Sequence, residues 1–257
     1  MTNDFWLCMK IFFDDRCLLL LKPDVAFAGQ IVVPGSTEEL KRVIRDFEKN
    51  EGLQMLALSA PDYKQLKRDV KSLFTIIEAA GGVVRNEVGE ILFIHRRGRW
   101  DLPKGKINCQ LRTGAKRSSA EPIRNEELGI KKSEKRTAKS EQREANSEKR
   151  TANKEWRKSE AVREVKEETG IRKVKVIRKL KPTYHVYKEK RKPMLKKSYW
   201  FEMIAPKEQK LVPQIEEDIR YVRWFSPGEL DTVLENTFGS LREMIGGMRK
   251  GELRIKN

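Results

Sequence analysis

Cysteine and histidine are scarce in this chain of 257 residues, with three of the first and two of the second. Cys8, Cys17 and Cys109 form no CxxC pair and are odd in number, which argues against a disulfide framework and a thiolate zinc site. His95 and His185 are too few for a histidine-rich metal centre. Long hydrophobic runs are missing too. No apolar stretch approaches the ~20 residues that span a bilayer. Met1–Asp15 mixes acids into its short apolar run and does not read as a signal peptide. The expectation is a soluble, cytoplasmic protein with no membrane partner.

Charge is what the chain has in excess. Charged residues make up 36%, against a usual ~25%. Net charge is +17, from 55 Lys+Arg and 38 Asp+Glu. Such a surplus favours anionic partners: polyphosphates, nucleic acid or acidic membrane surfaces. Charge alone does not choose among them. The hydrophobic fraction of 38% supports a core, and the length admits one larger domain and a small one.

Residues 1–72 read as a small α/β unit. Lys10–Phe13 and Leu18–Leu21 are strand candidates around a turn at Asp14–Asp15. Ser36–Asn50 reads as a helix, with Ser36 as N-cap and Glu39 completing a capping box. Met55–Leu58 is a short strand and Asp62–Phe74 a helix. From Thr75 the texture changes. Ile76–Val84 and Glu90–His95 form a hairpin-like pair, and Trp100–Lys106 reads as a polar loop. Residues 160–170 are helical. Val174–Ile177, Lys197–Ile204 and Ile219–Phe225 are strands, and the cations of Tyr187–Lys192 and Lys196–Lys197 flank a hairpin turn, where they extend a polyanion site or simply solvate the hairpin. Ser226–Asn236 and Phe238–Arg249 are closing helices.

A basic segment interrupts this pattern. Residues 112–158 hold 15 Lys+Arg and 8 Glu. Within them a seven-residue unit repeats at Lys132–Ala138, Lys139–Ala145 and Asn146–Ala152. Alanine is the only apolar residue per repeat, so there is no a/d seam to bury. A solvated helix or disorder is favoured over a partner-binding helix.

The chemistry concentrates in Arg163-Glu-Val-Lys-Glu-Glu-Thr-Gly-Ile171. At ~100° per residue, Glu164, Glu167 and Glu168 share one face of a helix. Val162 and Val165 lie to one side as core anchors, and Gly170 suits the C-cap. Three like charges this close repel unless a cation lies between them. Hard oxygen donors at such spacing suit Mg²⁺ or Mn²⁺, and a merely solvated acidic patch is the competing reading.

The stretch resembles the second half of the Nudix box, G-x5-E-x7-R-E-U-x-E-E-x-G-U, with U a bulky aliphatic residue. Arg163, Glu164, Val165, Glu167, Glu168, Gly170 and Ile171 match it, and Glu155 falls where the earlier Glu stands. Leu102–Ile107 looks like the loop that opens the box, with Gly105 as its glycine. Gly105 and Glu155 are 50 apart instead of 6, an excess of 50 − 6 = 44 residues that falls in the basic repeats. Loop-closure entropy grows only logarithmically, so a tenfold longer loop costs ~2 kcal/mol. The box is therefore expected to reassemble with the insert looping out.

The resemblance implies a Nudix-type α/β/α sandwich with a mixed sheet, plus the small N-terminal α/β unit. The hydrolase domain would span residues 73–236, interrupted by the low-complexity insert 109–153, with a C-terminal helix in 237–257. It implies a metal-dependent hydrolase that cleaves a pyrophosphate bond. Substrates would be nucleoside diphosphate derivatives, dinucleoside polyphosphates or related polyphosphates. Glu164, Glu167, Glu168 and the Gly105 backbone would hold Mg²⁺, or Mn²⁺ in its place. Glu164 or Glu167 would activate water, with Glu217 as a candidate outside the box. Arg97, Arg99, Lys104 and Lys106 would clamp phosphates. Glu155 and Gly170 would be structural, with Arg163 ion-paired to Glu155. The alternative is a non-catalytic nucleotide- or nucleic-acid-binding Nudix-like protein. The basic insert leaves weak, non-specific nucleic-acid binding open, and a homodimer is also open.

Overall fold

The computed structural model describes residues 8–107 and 132–249. Cys109 and the first part of the insert lie outside them. The N-terminal unit supplies β1 (Met9–Phe13), β2 (Arg16–Leu21), β3 (Ile31–Val32), α1 (Thr37–Lys49), β4 (Met55–Ser59) and α2 (Tyr63–Ser72). Then come β5 (Thr75–Arg85), β6 (Ile91–Arg96), β7 (Arg99–Asp101) and β8 (Lys104–Lys106). After the long α3 (Lys132–Thr169) follow β9 (Lys175–Lys179), β10 (Thr183–Glu189), β11 (Lys192–Ile204), β12 (Ile219–Phe225), α4 (Leu230–Glu235) and α5 (Gly239–Arg249).

All twelve strands join one mixed sheet, ordered β12-β6-β5-β11-β10-β1-β2-β4-β3, with β7 on β6, β8 on β5 and β9 on β11. The pairs β5–β11, β1–β10, β2–β4 and β3–β4 are parallel. Strand alternation sorts side chains to two faces. On β11, Tyr199, Phe201 and Met203 pack under α3 with Ala161 and Val165. Trp200 points the other way, into a cluster with Phe93, Phe225, Leu230 and Ile245 from β6, β12, α4 and α5. The sheet is thus sandwiched between helices.

The N-terminal strands continue that sheet. Met9, Ile11, Phe13, Leu18 and Leu20 share one core with Leu40, Ile44 and Phe47 of α1, Leu66 and Val70 of α2, and Val186 and Leu195 of β10 and β11. Fully burying each such aliphatic or Phe contributes about 1.5–3 kcal/mol. Ser36 Oγ accepts from the Glu39 N–H at 3.1 Å, as a cap should. Glu39 does not close the box on Ser36. It reaches one residue further back, to the Gly35 N–H at 2.9 Å.

Two expectations are corrected. Trp100–Lys106 is not simply a loop, because β7 pairs with β6 and β8 with β5. The short strands lacked an alternating apolar pattern, and backbone pairing alone makes them. The described half of the insert does not loop out. Residues 132–153 continue the carboxylate-bearing helix backwards. Helix growth from an existing nucleus is far easier than starting one. The packed end of α3, with Ala161 and Val165 fully buried, supplies that nucleus.

Candidate active site

Close backbone approach brings the loop and helix together at two glycines. A Cβ on Gly82 would lie 2.8 Å from Val165 Cγ2, so glycine lets α3 settle on β5. A Cβ on Gly105 would stand 1.9 Å from Glu164 Oε2. The space a side chain would fill at 105 is occupied by the Glu164 carboxylate. At the helix end Gly170 has φ 76°, and a Cβ there would meet the Val212 backbone nitrogen at 2.7 Å.

Glu168 is 1% exposed. It accepts from the Lys104 backbone N–H at 2.6 Å and from Arg96 Nη1 at 3.1 Å. Burial pushes its carboxyl up to about 7, against the opposing pull of Lys104 and Arg96. Glu164 is also raised, by burial first, with Arg163 pulling the other way. Glu167 lies toward solvent and accepts from Arg163 Nη1 at 2.6 Å.

Arg163 is the hub of this turn. It donates to Glu160 Oε2 at 3.0 Å, to Glu164, and to Glu167. These carboxylates, Glu160 foremost, hold the guanidinium firmly charged. Its expected partner Glu155 is not among them. Glu155 pairs with Lys158 at 3.3 Å on an exposed face. Eight residues along a continuous helix is about 12 Å, beyond reach, whereas Glu160 stands one turn away. Glu160, buried at 6% exposure, was missed in the sequence, although its i−3 spacing from Arg163 was a signal.

The cations around the loop are all paired. Lys104, itself buried, donates to buried Asp101. Arg97 lies 3.7 Å from Asp218, Arg99 3.6 Å from Asp15, and Lys106 3.3 Å from Glu189. Arg96 bridges Glu168 and Glu217, the latter at 3.3 Å, which places Glu217 beside the buried carboxylate. Lys196, beside the hairpin turn, lies near the same charges. Burial drives its ammonium down to about 7, with Lys104 and Arg96 adding to the push and Asp101 and Glu168 opposing. Trp100 packs edge-on against His95 and Phe225.

Among the described residues no three His, Cys, Asp or Glu side chains gather as a ready metal cluster, and arginines accompany the helix carboxylates. The donors nevertheless suit a hard divalent cation: Glu164 and Glu168 are buried carboxylates beside a side-chain-free backbone at Gly105.

The sheet lies between helices, and a carboxylate-bearing helix docks on a glycine loop. The family model described as the NUDIX domain matches residues 161–245, about a third of the chain. No curated protein matches the sequence. Similar solved structures include the MutT protein from Methanosarcina mazei Go1, at 17% identity over 70% of this chain and 98% of that one, with a TM-score of 0.41. A C. elegans Ap4A hydrolase binary complex is 16% identical over 68% and 95%, with a TM-score of 0.36. The NUDIX domain of Shewanella oneidensis NrtR complexed with ADP ribose is 15% identical over 74% and 98%, with a TM-score of 0.38. These likenesses are loose.

Proposed function

We propose that this protein is a divalent-metal-dependent Nudix pyrophosphohydrolase. It hydrolyses a nucleoside diphosphate derivative, a dinucleoside polyphosphate or a related polyphosphate. The observation that supports this reading is the contact between loop and helix. Despite 44 additional residues between Gly105 and Glu155, Glu164 lies against Gly105 and Glu168 is bonded to Lys104.

Glu164, Glu167, Glu168 and the Gly105 backbone would hold Mg²⁺, or Mn²⁺ in its place. When bound there, such an ion would supply charge neutralisation to the diphosphate and acidity to the attacking water. Glu164 or Glu167 takes the proton from that water. Arg163 fixes the orientation of both through its fork. Arg96 and the Lys104 N–H fix Glu168. Arg97, Arg99 and Lys106, on the exposed rim, exchange their acid partners for substrate phosphates. Residues 73–236 form the hydrolase unit, with residues 1–72 laid along the same sheet. No helix among the described residues is long and apolar enough to cross a membrane.

The test is a panel of diphosphate and polyphosphate compounds with Mg²⁺ or Mn²⁺. Glu164→Gln is expected to lower turnover at least ~10²-fold, about 2.7 kcal/mol in barrier. A folded wild-type protein without turnover on any compound would point instead to a nucleotide-binding Nudix-like protein. The arginines already paired to all three carboxylates favour that second reading.

A further inference from the structure

Outside the carboxylate site, a group of cations surrounds two tyrosines on the α3 side of the sheet. Lys197 of β11 has its Nζ 4.6 Å from the Tyr199 ring centre and 6.0 Å from that of Tyr184. Arg157 of α3 lies 4.1 Å above Tyr199, and Lys179 of β9 is 5.4 Å from the same ring. Lys71 of α2 lies 5.5 Å from Tyr184. One carboxylate stands among them. Glu78 accepts from the Tyr199 hydroxyl at 2.5 Å and from Arg157 Nη2 at 3.0 Å.

Four cations against one carboxylate leave a net +3. Lys71, Lys179 and Lys197 form no ion pair among the described residues. The Arg157 Nε is buried without a hydrogen-bond acceptor. Ring faces attract a cation but do not cancel its charge. Burial and the neighbouring cations hold the Lys71 and Lys197 ammonium groups below their ordinary range, although Glu78 pulls Lys197 up. A multivalent anion would relieve this repulsion and give the Arg157 Nε an acceptor. The place is separate from the catalytic loop. Tyr199 and Gly105 flank Ala80 from opposite sides in register, two strand spacings or about 10 Å apart.

We propose that Lys71, Arg157, Lys179 and Lys197, gathered around Tyr184 and Tyr199, form a second binding site for a phosphate-rich anion, distinct from the α3 carboxylates. The site needs no divalent metal and no turnover, so its success or failure is independent of the hydrolase reading.

Inorganic tripolyphosphate, titrated calorimetrically into the full chain in chelator at low salt, tests it. Wild type is expected to bind. Lys179→Ala with Lys197→Ala is expected to weaken binding at least tenfold. Lys22→Ala with Lys210→Ala, the same charge loss at exposed positions elsewhere, is expected to leave it unchanged, and so is Glu164→Gln. If the double variant at 179 and 197 does not fold, Lys197→Gln, which keeps most of the side-chain stem, is expected to show the loss. No binding by wild type overturns the site. So does undiminished binding by the cluster variants, or an equal loss in the Lys22 and Lys210 control. A loss in Glu164→Gln would put the anion at the catalytic loop and overturn it as well.

Discussion

At the residue scale, single atoms decide whether the site assembles. Gly105→Ala would drive a methyl group into the Glu164 carboxylate, 1.9 Å from Oε2. It is expected to reduce turnover at least ~10-fold, about 1.4 kcal/mol. Gly228→Ala, where a Cβ meets nothing within 4 Å, is the comparison and should leave turnover unchanged. Lys196 gives a pH signature. Its folded ammonium titrates near 7, against an ordinary 10.5. Between those values the unfolded chain binds the proton and the folded chain releases it, so stability rises with pH through that window. Lys196→Met should flatten this rise. Urea midpoints at pH 7 and pH 9.5, compared between wild type and variant, measure it, and an unchanged slope would refute the assignment.

At the element scale, α3 is two helices in one. Its C-terminal part is fixed by Ala161, Val165 and the buried Glu168, and presents the carboxylates. Its N-terminal part repeats a motif with no apolar stripe and is carried by propagation from the packed end. Deleting residues 109–152 is therefore expected to preserve turnover within about twofold, a few tenths of a kcal/mol. A steady-state assay of the deletion protein checks this, and lost activity in a folded protein would give the repeats a role in the site. The shared helix face of Glu164, Glu167 and Glu168 was legible from spacing, which left a merely solvated acidic patch as an equal reading. The partner of Arg163 was not, because the motif's Glu155 is brought into line along the helix, out of reach, while Glu160 stands one turn away.

At the scale of the whole molecule, residues 8–72 and the residues that follow share a sheet and a core. β1 pairs in parallel with β10, and Val186 and Leu195 pack among the side chains of α1 and α2. Removing residues 1–72 would strip that cover and leave β10 as an open edge. The fragment 73–257 is expected to associate or lose cooperative unfolding, as read by size-exclusion chromatography and thermal melts. A monomeric fragment with an unchanged melt would make residues 1–72 an independent domain.

The sequence by itself determined the period of the longer strands and of the helices, the turn at Asp14–Asp15, and a helix face bearing Glu164, Glu167 and Glu168. Those follow from local spacing and from residue chemistry that acts within a few positions. It could not determine that β7 and β8 are strands, that Arg96 and Lys104 close over Glu168, or that two units share one sheet. Those depend on pairings made in the folded chain, from Ala79 with Lys106, 27 positions apart, to Lys104 with Glu168, 64 apart, and Phe12 with His185, 173 apart. No local pattern encodes them, because only the folded core brings such partners within bonding distance.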